Sequence, residues 1–375
     1  MKKLDAILVG AGGFGGTYVR MFMDGNVDDL NLVAIIDPYV KKADTYDSYK
    51  DTIPTYDTLE EFFGAGNTAD LTIISSPIHL HYPQSITALE NGSHVLCEKP
   101  LVPTLDELNK LYEKTQSTGK TLSVAFQWCY SSVMRGLKER ILAGEFGKPI
   151  CFKTLVCWPR GLDYYSRSAW AGKIKSADGH IVYDSVVSNA TAHYMQNMLF
   201  LLGPTMEESA TVGNIEAENY RANDIESFDT CLVRGEAGGA GLYYAGSHAV
   251  NFQINPIMHY ELENATILVN AFDQDGQCRI HHKNGVVEEL GTAVADGETK
   301  KLALTAQAIM DESPLSCTTT TVRPFTELIE YLFNKVPVQN FSDDVIIKNT
   351  ERTYVKNLHM DLVECFNQTK LLSER

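Results

Sequence analysis

Three glycines (Gly10, Gly12, Gly15), Asp37 and the tripeptide Glu98-Lys99-Pro100 are the residues whose types and spacing carry chemistry in this chain. Gly10 permits a tight turn, Gly12 lets backbone approach a pyrophosphate, and Gly15 lets a following helix pack closely on a preceding strand. With Gly13 and Phe14 between them, the turn would present the unpaired N–H groups of a helix N-terminus to an anion. Asp37 lies 22 residues beyond Gly15, where a carboxylate accepts both hydroxyls of an adenosine ribose and repels a 2′-phosphate. That favours NAD, while Lys41 and Lys42 follow closely enough to keep NADP open. Lys99, in a partly dry cleft beside a cationic nicotinamide, would have a lowered pKa and could orient a substrate hydroxyl and handle its proton. Taken alone it reads equally well as a surface lysine at a strand end. Glu98 is placed to pair with it, and Pro100 to stiffen the turn.

The elements that must position these groups follow from apolar runs. Ala6–Val9, Leu32–Ile36, Leu71–Ser76, His94–Cys97 and Thr121–Phe126 read as buried strands alternating with helical segments, the pattern of a parallel α/β sheet. Helices are expected over Leu59–Phe63 and Tyr82–Glu90, the second stopped by Asn91-Gly92, and from Thr104, which has Glu107 three residues on, to Gly119. In such sheets ligands sit outside the carboxyl ends of the strands, which gathers the glycine turn, Ser75-Ser76-Pro77 and Glu98-Lys99-Pro100. The nucleotide domain is expected over residues 1–124 and a second domain over 125–375. The second carries a helix over Ser132–Ala143, longer alternating runs (Ile150–Val156, Phe228–Arg234, Ala240–His248, Met258–Glu263, Thr266–Asn270), and helices over Ala190–Leu202, Pro324–Leu332 and Thr350–Phe366. This is an α+β domain with a mostly antiparallel open sheet. Its segment Trp158–Trp170 combines Arg160, Tyr165 and Trp170, groups that suit either a polyhydroxylated ring or acid, or a subunit contact.

Taken with Ser76-Pro77-Ile78-His79-Leu80-His81 and the stretch Asn91–Leu101, the glycine pattern resembles the Gfo/Idh/MocA oxidoreductases, densely over residues 5–150 and more loosely beyond. The resemblance implies a Rossmann domain followed by a domain whose open sheet makes the contact of a homodimer or homotetramer. It implies cofactor contacts at Gly10, Gly12, Gly13, Phe14, Gly15, Asp37, Ser76, Pro77, His81, Glu98 and Lys99, with Lys99 beside the reacting carbon. His81 and His79 suit a phosphate, a substrate or a purely structural role. The family's Asp-x-Gly-x-His corresponds to a stretch within Asp184–Tyr194, which makes His193 the acid/base that takes the hydroxyl proton. Asn189 stands at the aspartate position and Thr191 at the glycine position. Asparagine can bond a sugar hydroxyl but cannot take its proton, so a relay would run through His193, Lys99 or Asp184. The chain also departs from the family at Ile78, where members often carry asparagine.

Composition narrows the classes. The chain has 375 residues, 44% hydrophobic and 21% charged, with a formal net charge of −16 that argues against nucleic acid or an anionic membrane as partner. No apolar run reaches the ~18 residues of a membrane span, the first strand begins close to Met1, and the eight cysteines form no CxxC pair. A reduced, cytoplasmic protein is expected. His79-x-His81 and His281-His282 lack clustered acidic or cysteine partners, so no metal is expected. The reading is an NAD(P)-dependent dehydrogenase of a secondary alcohol in a sugar, inositol or related polyol. Two rivals stand beside it: an epimerase, lyase or glycoside-cleaving enzyme that recycles its NAD, and a non-catalytic nucleotide-responsive protein.

Overall fold

The structure is a computed structural model that describes residues 3–270, 276–293 and 296–375. The chain divides into two compact units, Met1–Tyr130 with Asp296–Arg323, and Ser131–Ala295 with Pro324–Arg375.

The first unit is built on six parallel strands: β1 (Leu4–Val9), β2 (Leu30–Ile36), β3 (Thr55–Tyr56), β4 (Leu71–Ile74), β5 (His94–Cys97) and β6 (Leu122–Val124). Their order is β3-β2-β1-β4-β5-β6, in which direction reverses between β1 and β4. That reversal opens the crevice where doubly wound sheets hold ligands. The connecting helices are α1 (Gly15–Met23), α2 (Leu59–Gly64), α3 (Ile78–Glu90) and α4 (Leu105–Thr118). Local chemistry sets their ends: the Thr104 hydroxyl accepts from the Glu107 amide, and Gly119 closes α4 at φ +65°. Helix α3 starts at Ile78, four residues before the expected Tyr82, and carries Pro83 inside it.

The second unit holds α5 (Ser132–Leu142), β7 (Pro149–Cys157), a short α6 (Leu162–Ser166), α7 (Ala192–Leu201) and the strands β8 (Val212–Arg221), β9 (Thr230–Ala237), β10 (Ala240–Ser247), β11 (Ile254–Leu262), β12 (Ala265–Asn270), β13 (Gln277–His282) and β14 (Val287–Thr292). After β14 the chain enters the Asp296–Arg323 part of the first unit with α8 (Gly297–Asp311). Helix α9 (Thr319–Lys335) begins in that part and from Pro324 belongs to the second unit, which β15 (Val338–Asn340), the hairpin β16 (Ile346–Lys348) and β17 (Thr353–Val355), and α10 (Leu358–Gln368) complete. Nine strands form one mixed sheet, β14-β13-β12-β11-β7-β10-β9-β8-β15, antiparallel except for β7–β10 and β8–β15. Leu358, Leu362 and Phe366 of α10 pack with Leu155, Cys157, Tyr243 and Ala245, covering the middle of one sheet face. None of the eight cysteines is in a disulfide, and seven are buried. Among the described residues no helix is long and apolar enough to cross a membrane.

Two differences from the sequence reading have clear causes. The division expected at residue 124 falls at Tyr130, and residues 296–323 join the first unit. Strand β6 is what draws them in: the Val124 amide donates to the Cys317 carbonyl, the Thr305 hydroxyl donates to Ser123 Oγ, and Leu302 and Ala306 enter the sheet's core. The expected helix over 350–366 is shortened to α10, because Thr353–Val355 pairs as a strand and Asn357 takes a left-handed φ of +60°.

Candidate functional site

In the first unit the glycine turn lies at the reversal between β1 and β4. Gly10 sits at φ +86°, and a Cβ on it would come 2.8 Å from the Ser75 carbonyl oxygen, so only glycine lets the turn press against the end of β4. A Cβ on Gly15 would fall 2.0 Å from the Gly10 carbonyl oxygen, which ties the start of α1 to the turn. A Cβ on Gly12, by contrast, would meet nothing within 4 Å. Among the described residues no acceptor meets the amides of Gly12, Gly13 and Phe14, and α1 carries no acidic residue in its first turn. An open glycine face beside unspent N–H groups fits a pyrophosphate.

Asp37 ends β2 as expected and is held rigidly. Its Oδ2 accepts from the Ala11 amide at 2.9 Å and its Oδ1 from the Tyr39 amide at 2.7 Å. The carboxylate is thereby fixed beside the glycine turn, with lone pairs left for ribose hydroxyls. Lys41 and Lys42 are exposed, and the Lys42 ammonium lies over the Tyr39 ring, 5.0 Å from its centroid.

Three of the expected cofactor contacts have side chains turned to other work. Glu98 is buried; its Oε1 accepts from the Tyr18 hydroxyl at 2.7 Å and from Lys301 Nζ at 2.9 Å, and its Oε2 from the Lys99 amide at 3.2 Å. Its buried ion pair is made with Lys301, not with the Lys99 ammonium expected from sequence. Burial would raise the Glu98 pKa, but the Lys301 ammonium, with hydrogen bonds from Lys301 and Tyr18, outweighs burial and lowers it. The Lys301 ammonium also lies 4.6 Å from the ring centroids of both Phe14 and Tyr18. His81 is buried, with Nδ1 at 2.9 Å from the Pro100 carbonyl oxygen and Nε2 at 2.9 Å from that of Ser76. Both ring nitrogens are spent on shaping the strand ends, and burial lowers its pKa. The Ser76 hydroxyl donates to Gln84 Oε1 at 2.5 Å. Lys99 itself is half-buried, at the end of β5.

In the second unit His193 stands half-buried in the first turn of α7. A helix was expected from Ala190; instead one π-helical turn, Val186–Ala190, precedes α7. Its start is locked reciprocally: Ser185 Oγ accepts from the Ser188 amide, and Ser188 Oγ from the Ser185 amide. Thr191 is fully buried, its hydroxyl engaged with the Val186 carbonyl and the Tyr244 hydroxyl. Asn189 Nδ2 donates to Asp184 Oδ1 at 2.8 Å, and Asp184 Oδ2 accepts from the Gly172 amide at 2.6 Å. Asp184 is thus a buried anchor for Asn189. Tyr165, expected to meet substrate, is turned inward beside a cavity of about 10 Å³, roughly the room of one water. Burial raises its phenol pKa well above the ordinary value.

Arg160 and Trp170 belong to a stack. The Arg160 guanidinium carbon lies 5.6 Å from the Trp158 ring and 4.6 Å from that of Tyr164; that of Arg167 lies 3.6 Å from Tyr164 and 5.2 Å from Trp170. Behind it, buried His248 has Nδ1 2.9 Å from the Trp158 carbonyl oxygen. Burial lowers its pKa to about 3; the Trp158 bond opposes this, and the charges of Arg160 and Arg167 add to it. Sequence reasoning missed Lys301 because no helix was expected there. The available signal for a helix there was the apolar spacing Leu302, Ala306, Ile309, which Lys301 directly precedes.

Comparison with known proteins bears on both units. Residues 4–126 match the family model described as an oxidoreductase family with an NAD-binding Rossmann fold. An inositol 2-dehydrogenase of Rubrobacter xylanophilus is 26% identical over 242 residues, 63% of this chain and 64% of that protein. A scyllo-inositol 2-dehydrogenase (NAD(+)) of Bacillus subtilis is 31% identical over 174 residues, 43% of this chain and 49% of that one. The matches thus span about half to two thirds of these relatives' length. The WlbA dehydrogenase of Bordetella pertussis, solved with NADH and UDP-GlcNAcA, superposes with a TM-score of 0.71 over 89% of this chain and 95% of its own, at 20% identity. At that identity the likeness is one of fold.

Proposed function

We propose, from the membership of residues 4–126 in the Gfo/Idh/MocA oxidoreductase family, that this chain is an NAD-dependent dehydrogenase acting on a secondary alcohol of a sugar, inositol or related polyol. The observation that carries the proposal is the pairing of the open Gly12 face with the amide-anchored Asp37 carboxylate at the sheet's reversal point. The amides of Gly12, Gly13 and Phe14 bind the pyrophosphate, and Asp37 takes the adenosine ribose hydroxyls and disfavours a 2′-phosphate. The nicotinamide, when bound, supplies the hydride acceptor. Lys99 orients the substrate oxygen and stabilises its developing negative charge. His193 takes the hydroxyl proton. Asn189, anchored by Asp184, donates to or accepts from a neighbouring hydroxyl, and Arg160 and Trp170 contact the substrate. The working form is a cytoplasmic homodimer or homotetramer.

Asn189 cannot take a proton, and both oxygens of Asp184 are engaged, which leaves His193 and Lys99 as proton carriers. That altered path also supports a second reading, in which oxidation and re-reduction occur in one turnover and NAD is recycled. Purified protein with excess NAD and a panel of sugars, inositols and glycosides separates the two, with NADH absorbance and substrate mass followed together. Stoichiometric NADH with loss of two hydrogens is the expected result. A changed substrate without NADH would move the assignment to the recycling enzyme, and silence in both channels would favour a binding protein.

A further inference from the structure

The residues Trp158, Arg160, Tyr164, Arg167 and Trp170 form an alternating ladder in which each guanidinium lies against two aromatic rings. The two guanidinium carbons are at most about 8 Å apart, since both lie against one Tyr164 ring. Stacking occupies the faces of a guanidinium and leaves its in-plane N–H fork at the rim, the geometry that grips a carboxylate or phosphate. Among the described residues neither arginine is paired with a carboxylate. Arg140, Arg234 and Arg375, by contrast, are each bridged to glutamate or aspartate. Arg167 Nη1 donates to the Tyr164 carbonyl, while Arg160 Nε is buried and meets no acceptor. In a chain of net charge −16, two adjacent unpaired cations fixed by stacking are a local exception to the surrounding field. The ladder is also connected to the start of α7: the Trp158 ring meets the Tyr194 ring edge-on at 5.6 Å, and Tyr194 follows His193.

We propose that the ladder is an anion seat, and that the substrate is a sugar or polyol bearing a carboxylate or phosphate, which Arg160 and Arg167 bind through their in-plane N–H groups. This rests on the dehydrogenase reading for the word substrate, but the seat can be tested without turnover. The full chain with NADH is titrated calorimetrically with matched probes, D-gluconate against D-glucitol and D-glucose 6-phosphate against D-glucose. The expected result is that one charged member binds at least about tenfold more tightly than its neutral partner, and which one identifies carboxylate or phosphate. Arg160→Gln and Arg167→Gln should each bring that ratio to within about twofold, while Arg167→Lys, which keeps charge but loses the fork, retains part of it. Equal binding within both pairs, or a preference that survives in both glutamine variants, would overturn the seat. Thermal melts of the variants separate loss of binding from loss of fold. Absence of NADH formation from charged and neutral probes alike counts against the dehydrogenase reading and leaves the binding ratio to judge the ladder.

Discussion

Lys301→Met should destabilise the first unit by about 3–4 kcal/mol at pH 7. The Lys301 and Glu98 side chains are 1% and 11% exposed and meet at 2.9 Å, and breaking a buried pair by removing one partner costs about 3–5 kcal/mol. The lower part of that range applies, because Glu98 keeps the Tyr18 hydroxyl and the Lys99 amide. The pH dependence has a definite sign. In the wild type the Glu98 pKa is lowered, so its contribution is present above the unfolded carboxyl pKa and is lost as pH falls through the folded one. In the variant burial acts without the ammonium, Glu98 protonates more readily, and the deficit should shrink as pH falls from 7 to 4. Adding Glu98→Gln removes the stranded charge, so the double variant should be about 1–2 kcal/mol more stable than the sum of the single losses predicts. Trp128 is the one tryptophan of the first unit, so its fluorescence during urea unfolding, with Trp158 and Trp170 replaced by phenylalanine, reports that unit alone. A loss under about 1 kcal/mol, or a deficit unchanged between pH 7 and 4, would refute the reasoning.

Other outcomes follow from the same geometry. Gly12→Ala should fold with an unchanged melting temperature and lose NAD binding by calorimetry, since its Cβ faces open space; Gly15→Ala should lose both, since its Cβ falls 2.0 Å from the Gly10 carbonyl oxygen. Lys99→Met should retain NAD binding and lose most turnover, and full activity in that variant would remove Lys99 from the mechanism. His248 is fully buried with its pKa lowered to about 3, so its contribution to stability is complete above the unfolded value near 6.5 and is lost as pH falls toward 3. Linkage puts that loss at up to about 5 kcal/mol. Wild type minus His248→Gln, compared by urea melts from pH 7 to 4, should show the difference declining with acid, and parallel curves would contradict it.

The nucleotide-binding half was legible because its signals are local. A glycine that must take positive φ, an apolar strand before it and an acid at the next strand end are fixed by neighbouring backbone, and Gly10, Gly12, Gly15 and Asp37 appear where their spacing places them. Side chains whose partners lie far along the chain were not legible. Glu98 looked like the companion of Lys99, but its partner is Lys301, 203 residues away. For His81 the sequence left a ligand contact and a structural role equally open, and the fold holds its ring between the Pro100 and Ser76 carbonyls. The helix expected from Ala190 starts at Ala192, after a π-helical turn, and Thr191 between them is bonded to Tyr244 across 53 residues. The sequence by itself determined the parallel sheet, the turn chemistry and the residue types at the strand ends, since these depend on φ/ψ preference and apolar period. Only the tertiary structure decided which polar groups are spent inside the protein and which remain for a ligand. A buried donor or acceptor must find its partner wherever the fold brings one, and sequence distance carries no record of that choice.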